Sequence, residues 1–226
     1  MKIVGILGSP RGLNGNTGLL LKEVLRGAER AGAAATVLSL SDYRVEACRA
    51  CDACHKTGHC AIADDFSKFH GTMLHADGIV LASPNYIYNV SAQLKAMMDR
   101  CCGSIHCLAM SGKYAAAVVT SGSPAFEEVL TCMHRFLRAI GCYSVGGVGV
   151  QAARLADEGA KAEAFAQAGE LGGRLVKAIL AKESFAQQDQ ELAQARSRMQ
   201  QLVKLRKDDW PFEYQYWKGR GAFTDG

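Results

Sequence analysis

Four cysteines that lie close together in the chain are the residues best suited to chemistry. They are Cys48, Cys51, Cys54 and Cys60, which fall within thirteen residues in the pattern Cys-x2-Cys-x2-Cys-x5-Cys. Thiolates spaced this tightly cannot all pair comfortably as disulfides, but they can bind one centre that prefers soft sulfur ligands. The pattern therefore predicts a metal site.

The first three of these cysteines match the ligand run of bacterial iron–sulfur proteins, in which three thiolates hold three corners of one cluster. In ferredoxins with two clusters, the fourth cysteine of such a run binds the other cluster. Here Gly58 lies in the longer gap and gives the chain a flexible point at which Cys60 can turn back to the same cluster. Zinc is less favoured, because zinc sites usually space their cysteines as two separated pairs.

The composition is that of a globular protein. Of 226 residues 49% are apolar, enough for one sizeable α/β domain with an extension. The net charge of +4 is too small to indicate nucleic-acid binding. No run approaches the roughly 18 apolar residues of a membrane span, and the first residues indicate a strand rather than a signal peptide. We expect a cytoplasmic protein, in which nine reduced cysteines favour metal or redox work over disulfides.

Apolar strand patterns alternate with helical patterns along the chain. Strands are predicted over residues 2–7, 35–40, 78–82, 114–120 and 143–150. Helices are predicted over residues 17–31, 64–76, 90–102, 126–140, 156–181 and 183–206. This alternation predicts a doubly wound, five-stranded parallel sheet with helices on both faces.

The same pattern predicts how the chain is divided. Residues 1–182 form the α/β domain, and a cysteine-rich segment, residues 41–64, is inserted after its second strand. Residues 183–226 form an extension of helix and aromatic tail that packs on the same domain or on a partner subunit.

The first candidate ligand loop links the first strand to the first helix. It contains Ser9, Arg11, Asn16 and Thr17, whose hydroxyl, amide and guanidinium groups suit an anion at a helix N-terminus. Ligands of open α/β sheets bind at this edge, beyond the carboxyl ends of the strands. The loop matches neither the dinucleotide fingerprint nor the Walker motif, so neither nucleotide class is predicted.

Two further loops follow the third and fourth predicted strands. In the second loop Pro84 stiffens the chain, and Tyr86 and Tyr88 offer flat apolar faces for an aromatic ring system. The third loop, residues 120–124, is rich in Gly and Ser and forms a candidate wall opposite the second loop.

Together these motifs resemble the flavodoxin-like NAD(P)H-dependent FMN reductase superfamily, and within it the iron–sulfur flavoproteins of anaerobic bacteria and archaea. The motifs that carry the resemblance are Gly8-Ser-Pro-Arg11, Gly15-Asn-Thr17, Ser83-Pro-Asn-Tyr86, Ser91-Ala-Gln-Leu-Lys95, Asp99-Arg100, the cysteine run and the aromatic tail Trp210 to Trp217. Cys101 and Cys102 depart from the small polar residues of that family, and nothing in the sequence explains them.

The resemblance implies a flavodoxin-like fold that binds FMN at the carboxyl edge of the sheet. It implies phosphate contacts from Ser9, Arg11, Asn16 and Thr17. It implies ring contacts from Pro84, Asn85, Tyr86, Ile87, Tyr88, Asn89, Thr120, Gly122 and Ser123. It also implies one [4Fe–4S] cluster on Cys48, Cys51, Cys54 and Cys60, close to a flavin across a subunit interface in a homodimer or homotetramer.

The main hypothesis is a redox protein that passes electrons between a one-electron carrier and an acceptor through the cluster and FMN. Its expected partners are a ferredoxin-like carrier or NAD(P)H, with no nucleic acid and no membrane. No residue is predicted to act as a general acid or base. The first alternative is an NAD(P)H-dependent FMN or quinone reductase without a cluster, and the second is a zinc-stabilised binding module without turnover.

Overall fold

Five parallel strands form a single sheet in this computed structural model, which describes residues 1–223. The strands are β1 (Lys2–Leu7), β2 (Ala34–Ser39), β3 (Gly78–Pro84), β4 (Tyr114–Ser121) and β5 (Tyr143–Gln151). Their order in the sheet is β2-β1-β3-β4-β5, so β1 and β3 are neighbours whose following connections leave in opposite directions. Open α/β sheets bind ligands at such a switch point.

Helices cover both faces of this sheet, which confirms the predicted fold class. They are α1 (Asn16–Arg30), α2 (Ala53–Thr57), α3 (Phe66–His75), α4 (Ala92–Asp99), α5 (Cys102–Cys107), α6 (Glu127–Ala139), α7 (Glu158–Ala181), α8 (Ala186–Leu205) and α9 (Pro211–Lys218). Side chains of β4 alternate between two cores: Ala117 and Val119 meet α3, α4 and α6, whereas Val118 meets α1 and α7. In residues 1–223, none of the helices is long and apolar enough to cross a membrane.

Helices α1 and α7 approach each other closely enough to exclude side chains from their contact. A Cβ atom on Gly172 would lie 1.9 Å from the carbonyl oxygen of Val24, and one on Gly27 would lie 2.0 Å from that of Gly169. Glycine is therefore required at positions 27 and 172. The close contact with α7 fixes the position of α1, the helix that follows the first candidate loop.

The elements differ from the prediction at four places. Strand β3 runs on to Pro84, which is tolerated because pairing with β1 ends at Ala82. The helix predicted over residues 90–102 is interrupted at Arg100 and Cys101, between α4 and α5. The short helix α2 within the cysteine segment was not predicted, and neither was α9, which begins at Pro211.

The C-terminal segment contacts the rest of the chain through α8 and α9. Gln188 exchanges hydrogen bonds with the backbone of Ser144 on β5. A small core of Leu108, Val203 and Trp217 joins α5, α8 and α9. The division at residue 182 stays a prediction, and residues 224–226 of the predicted extension lie outside those that the structure describes.

Candidate functional site

The first loop carries the N-terminus of α1 to the carboxyl edge of the sheet. Ser9 and Thr17 are buried there, Asn16 is half-buried and Arg11 is exposed. Gly15 precedes the helix and offers no side chain to its first N–H groups. Such a helix end carries unpaired donors and a partial positive charge, which favour an anion.

The second and third loops are joined to the first by buried polar contacts. The hydroxyls of Thr17 and Thr120 are 2.6 Å apart and share a hydrogen bond. The amide nitrogen of Asn85 donates to the hydroxyl of Ser121 at 3.1 Å and to the carbonyl of Ala125 at 2.6 Å. Its Oδ1 atom is buried without a hydrogen-bond partner among the described residues. The three loops thus form one cradle that retains a free buried acceptor.

The second loop ends in a two-residue hairpin turn with unusual backbone angles. Tyr86 and Asn89 exchange backbone hydrogen bonds at 2.9 and 3.2 Å. Between them Ile87 and Tyr88 have φ angles of 51° and 61°, a conformation that such turns normally reserve for Asn and Gly. Ile87 is 92% exposed and Tyr88 is 68% exposed. Strained apolar residues held in the open indicate a contact surface rather than a core.

Among the predicted ring contacts, Gly122 and Ser123 lie exposed in the third loop. The N–H of Ser123 donates to the hydroxyl of Ser121 at 3.2 Å, and this bond shapes the turn. Pro84 is buried at the end of β3. The structure therefore brings the sequence-predicted residues of all three loops to one edge of the sheet.

Helix α4 leads from this cradle to the cysteine segment. At its N-terminus the hydroxyl of Ser91 donates to the carbonyl of Gly8 and accepts from the N–H of Leu94, so the helix is fastened to the first loop. At its C-terminus stands Arg100. The eight residues of α4 span about 12 Å, and its two ends meet the two candidate sites.

The ends of the cysteine segment are held together by short hydrogen bonds. The N–H of Asp65 donates to the carbonyl of Arg44 at 3.0 Å, and the N–H of Arg44 donates to the carboxylate of Asp65 at 2.8 Å. The N–H of Glu46 donates to the carboxylate of Asp64 at 2.8 Å. Residues 47–63 therefore form a loop with a closed neck.

The charged guanidinium of Arg100 lies buried within this neck. The guanidinium binds the carboxylate of Asp64 through two bonds, of 2.6 and 2.9 Å, and both side chains are fully buried. It also donates to the carbonyls of Glu46, at 3.1 Å, and Ile62, at 3.4 Å. Despite its burial, Asp64 has its pKa lowered to about 2 by the hydrogen bonds from Arg100 and from the N–H groups of Glu46 and Phe66. The ion pair is therefore formed at neutral pH.

The four predicted metal ligands are divided between the loop surface and a cavity. Cys54 and Cys60 are half-buried and line a cavity of about 430 Å³, together with Arg100 and His70. Cys48 and Cys51 are exposed, and neither lines this cavity in the part of the chain that the structure describes. Burial, with Cys102, Glu213 and Cys60 nearby, raises the pKa of the Cys54 thiol to about 11. Cys54 is thus a thiol at neutral pH unless a metal displaces its proton.

A buried carboxylate joins the cysteine segment to the C-terminal helix. Glu213 on α9 is fully buried and accepts from His55 Nδ1 at 2.5 Å and from His106 Nδ1 at 2.9 Å. We call His55, Glu213 and His106 the His–Glu–His clamp. Burial alone would lower the pKa of His106, but its hydrogen bonds to Cys102 and Glu213 raise it to about 9. Trp210 contacts both imidazole rings: it lies tilted against His55, at 4.9 Å between centroids, and stacks on His106, at 4.8 Å.

The clamp atoms are also the potential metal ligands that converge within 4.8 Å among residues 1–223. The distances from the two histidine Nδ1 atoms to the Glu213 carboxylate are those of hydrogen bonds. The two imidazole rings stack on each other and so approach the same carboxylate side by side. We therefore interpret the clamp as an ion-paired hydrogen-bond network.

Sequence reasoning did not assign roles to Arg100, His106 or Glu213. Arg100 appeared only within a family motif, and Glu213 only within the aromatic tail. The available signal was a charged residue inside an otherwise apolar or aromatic stretch, as for Glu213 between Phe212 and Tyr214. Such residues are buried only when they are paired.

Comparisons with known proteins agree with this geometry. A family model described as NADPH-dependent FMN reductase matches residues 1–157. An iron-sulfur flavoprotein of Archaeoglobus fulgidus is 32% identical over 225 residues, which cover 98% of this chain and 99% of that protein. An iron-sulfur flavoprotein of Methanosarcina thermophila is 34% identical over 152 residues, or 65% of this chain and 78% of that protein.

The solved structure of a flavodoxin from the domain Archaea has a TM-score of 0.52 with 17% identity, over 79% of this chain and 99% of that one. At this identity the likeness concerns the fold alone. The family match and the relative that covers nearly the full chain show the family as well as the fold. The chain therefore belongs to the NADPH-dependent FMN reductase family and is a flavin-dependent oxidoreductase with a flavodoxin-like fold.

Proposed function

We propose that this protein passes electrons between a one-electron carrier and an acceptor through FMN and a [4Fe–4S] cluster. The observation that carries the cluster half of the proposal is the cavity shared by Cys54, Cys60 and Arg100. When bound, FMN supplies one- and two-electron chemistry and the cluster supplies one-electron chemistry.

The cradle of the three loops fits FMN. The N-terminus of α1, with Ser9, Arg11, Asn16 and Thr17, would hold the phosphate. The second loop, Pro84 to Asn89, and Thr120, Gly122 and Ser123 would hold the ring. The fit is supported by the Oδ1 atom of Asn85, a buried acceptor that has no hydrogen-bond partner in residues 1–223 and is available to a ring N–H.

The cysteine loop fits a cluster better than a zinc ion. The four thiolates of a cluster bind different irons and stand apart, whereas four zinc ligands crowd around one ion. The single run of Cys48, Cys51, Cys54 and Cys60 also differs from the two separated cysteine pairs that are usual in zinc sites. The closed neck supports the return of Cys60 toward Cys48, Cys51 and Cys54. Arg100 lines the same cavity as Cys60, and its buried Nε donor has no hydrogen-bond partner in the described part of the chain.

The residues of the chain hold and separate the two sites. Ser91 fixes one end of α4 against the first loop, and Arg100 fixes the other end in the neck of the cysteine loop. The His–Glu–His clamp fixes the segment that carries Cys54. None of these contacts requires a general acid or base.

The test is anaerobic purification followed by iron and acid-labile sulfide analysis of the wild type and the variants Cys60→Ala and Cys132→Ala. We expect about four irons per chain in the wild type and in Cys132→Ala, which alters a half-buried cysteine outside the loop. Cys60→Ala should lose most of its iron but keep FMN. An iron-free, FMN-containing wild type would remove the cluster from the proposal.

A cluster-free NAD(P)H-dependent FMN or quinone reductase is the second candidate, favoured by the description of the matching family model. It predicts rapid bleaching of the flavin by NADPH under anaerobic conditions in protein without iron. Stoichiometric zinc in colourless protein would instead indicate a binding module.

We also propose that the protein is a homodimer or homotetramer and exchanges electrons with a ferredoxin-like carrier or NAD(P)H. The exposed hairpin of Ile87 and Tyr88 beside the cradle supports a contact with another chain at this edge. Light scattering coupled to size-exclusion chromatography measures the oligomeric state, and a monomer at micromolar concentration would contradict the proposal.

A further inference from the structure

Arg100 is more extensively bonded than a residue that only ends a helix. Its guanidinium meets Asp64, Glu46 and Ile62, which lie on both sides of the four cysteines in the sequence. Arg100, at the end of α4, therefore holds together the two chain segments that form the neck. An arginine in this position is suited to several simultaneous bonds because its five N–H donors are held in a planar fork.

The Nε atom of Arg100 is buried and has no hydrogen-bond partner among the described residues. Buried donors are nearly always paired, so an unpaired one needs an explanation. Arg100 lines the same cavity as Cys60, and the thiol of Cys60 packs against the core that adjoins the neck.

We propose that Arg100 is a positioning residue for Cys60: its Nε–H donates to the Cys60 sulfur, holds that sulfur at the base of the loop, and stabilises the reduced cluster. This inference rests on the proposed function, because it assigns a role toward the same cluster. It also accounts for the longer gap before Cys60, since the fourth thiolate is held by a donor from outside the loop.

The direction of the effect follows from charge. Reduction adds one electron, so the reduced cluster carries one more negative charge than the oxidised cluster. Cluster potentials depend on net charge, on hydrogen bonds to the sulfurs and on exposure to solvent. An N–H bond from a buried cation to a ligand sulfur favours the more negative state, and burial limits the screening of that charge by salt. Losing the bond should therefore lower the reduction potential.

The experiment is an anaerobic redox titration of the purified holoprotein, monitored by EPR for the cluster and by absorbance for FMN. The first variant is Arg100→Lys, which keeps a cation beside Asp64 but has no Nε donor. The second is Arg100→Gln combined with Asp64→Asn, which removes both charges and leaves no unpaired carboxylate. Arg26→Gln alters an exposed arginine outside the cysteine loop and serves as the control.

At a fixed solution potential, both variants should show at least a tenfold lower ratio of reduced to oxidised cluster, equivalent to a downward shift of about 59 mV for one electron. The FMN potential and the Arg26→Gln cluster should match the wild type. A wild-type potential in both Arg100 variants with full iron would overturn the inference and leave the proposed function standing. A wild type that contains FMN but no iron would overturn the cluster proposal and this inference with it.

Discussion

The side chain of Asn85 connects the second and third loops of the cradle. Its amide links the ends of β3 and β4 through Ser121 and Ala125. Its backbone N–H donates to the carbonyl of Thr120 at 2.7 Å, which strengthens the same link. The side chain therefore both shapes the cradle and retains an acceptor for its ligand.

Asn85→Ala should weaken FMN binding about tenfold, or about 1.4 kcal/mol, because the cradle loses two bonds between loops and the free Oδ1 acceptor. Quenching of FMN fluorescence on titration with apoprotein measures this affinity. Gln187→Ala, an exposed amide on α8, is the control and should leave the affinity unchanged. An unchanged affinity in Asn85→Ala would restrict the residue to a structural role.

At the scale of elements, the hairpin of the second loop has an unfavourable backbone conformation and exposes two apolar side chains. Ile87 and Tyr88 hold left-handed angles that cost a side chain with Cβ about 1–2 kcal/mol each. A sequence under selection for stability alone would have Asn and Gly here. The strain therefore points to a use for these two side chains.

Replacing Ile87-Tyr88 with Asn-Gly should raise the free energy of unfolding of the apoprotein by about 1–2 kcal/mol and weaken FMN binding at the same time. The gain is smaller than the summed cost of two left-handed residues because glycine loses more conformational freedom on folding. Urea unfolding and FMN titration measure the two quantities. The matched control is Lys182→Gly, which relieves a left-handed residue at the end of α7, φ 47°. It should stabilise the protein without changing FMN affinity. Stabilisation of the hairpin variant with unchanged affinity would argue against ring contacts from this turn.

The sheet was predictable from sequence because its strands are short apolar runs bounded by turns. The interruption between α4 and α5 was not predictable from sequence. It occurs at Arg100, whose side chain binds Asp64, 36 residues earlier in the chain, and a contact over that distance leaves no local pattern. Helix α2 was also missed, since five residues in a cysteine-rich loop carry no amphipathic period.

In the candidate site, too, local features were predictable from sequence and contacts between distant residues were not. Loop chemistry predicted Ser9, Thr17 and the residues after β3 as ligand contacts because each follows a strand, and the structure brings them to one edge of the sheet. The bonds that make a cradle of them join residues far apart in sequence, such as Thr17 and Thr120. Pairings across such distances depend on the folded topology and leave no local pattern.

For the whole molecule, the His–Glu–His clamp joins three segments that the sequence keeps apart. His55 belongs to the cysteine loop, His106 to α5 and Glu213 to the C-terminal helix. Trp217 adds a bond from its indole N–H to the carbonyl of His106 at 3.0 Å. Because these contacts are buried, their charge state affects global stability.

Stability should fall as the pH rises above neutrality. A histidine whose pKa rises on folding stabilises the fold fully below its unfolded pKa, near 6.5, and loses that contribution as pH passes the folded value of about 9. For His106 the contribution is on the order of 3 kcal/mol. Urea unfolding at pH 6.5, 8 and 9.5 should show this decline in the wild type and in the control His75→Asn, an exposed histidine, but a smaller one in His106→Asn. An equal decline in all three proteins would refute the role of His106.

The closed neck of the cysteine loop has an evolutionary consequence. Because residues 44 and 65 already bond to each other, a lineage could delete residues 47–63 and keep the sheet and the cradle of the three loops. The same deletion would remove His55 and leave the carboxylate of Glu213 buried with His106 as its remaining partner among those described, so the C-terminal helix would lose one of its anchors. We therefore expect the cysteine loop and the C-terminal helix to be gained or lost together, because His55 and Glu213 contact each other although more than 150 residues separate them in the sequence.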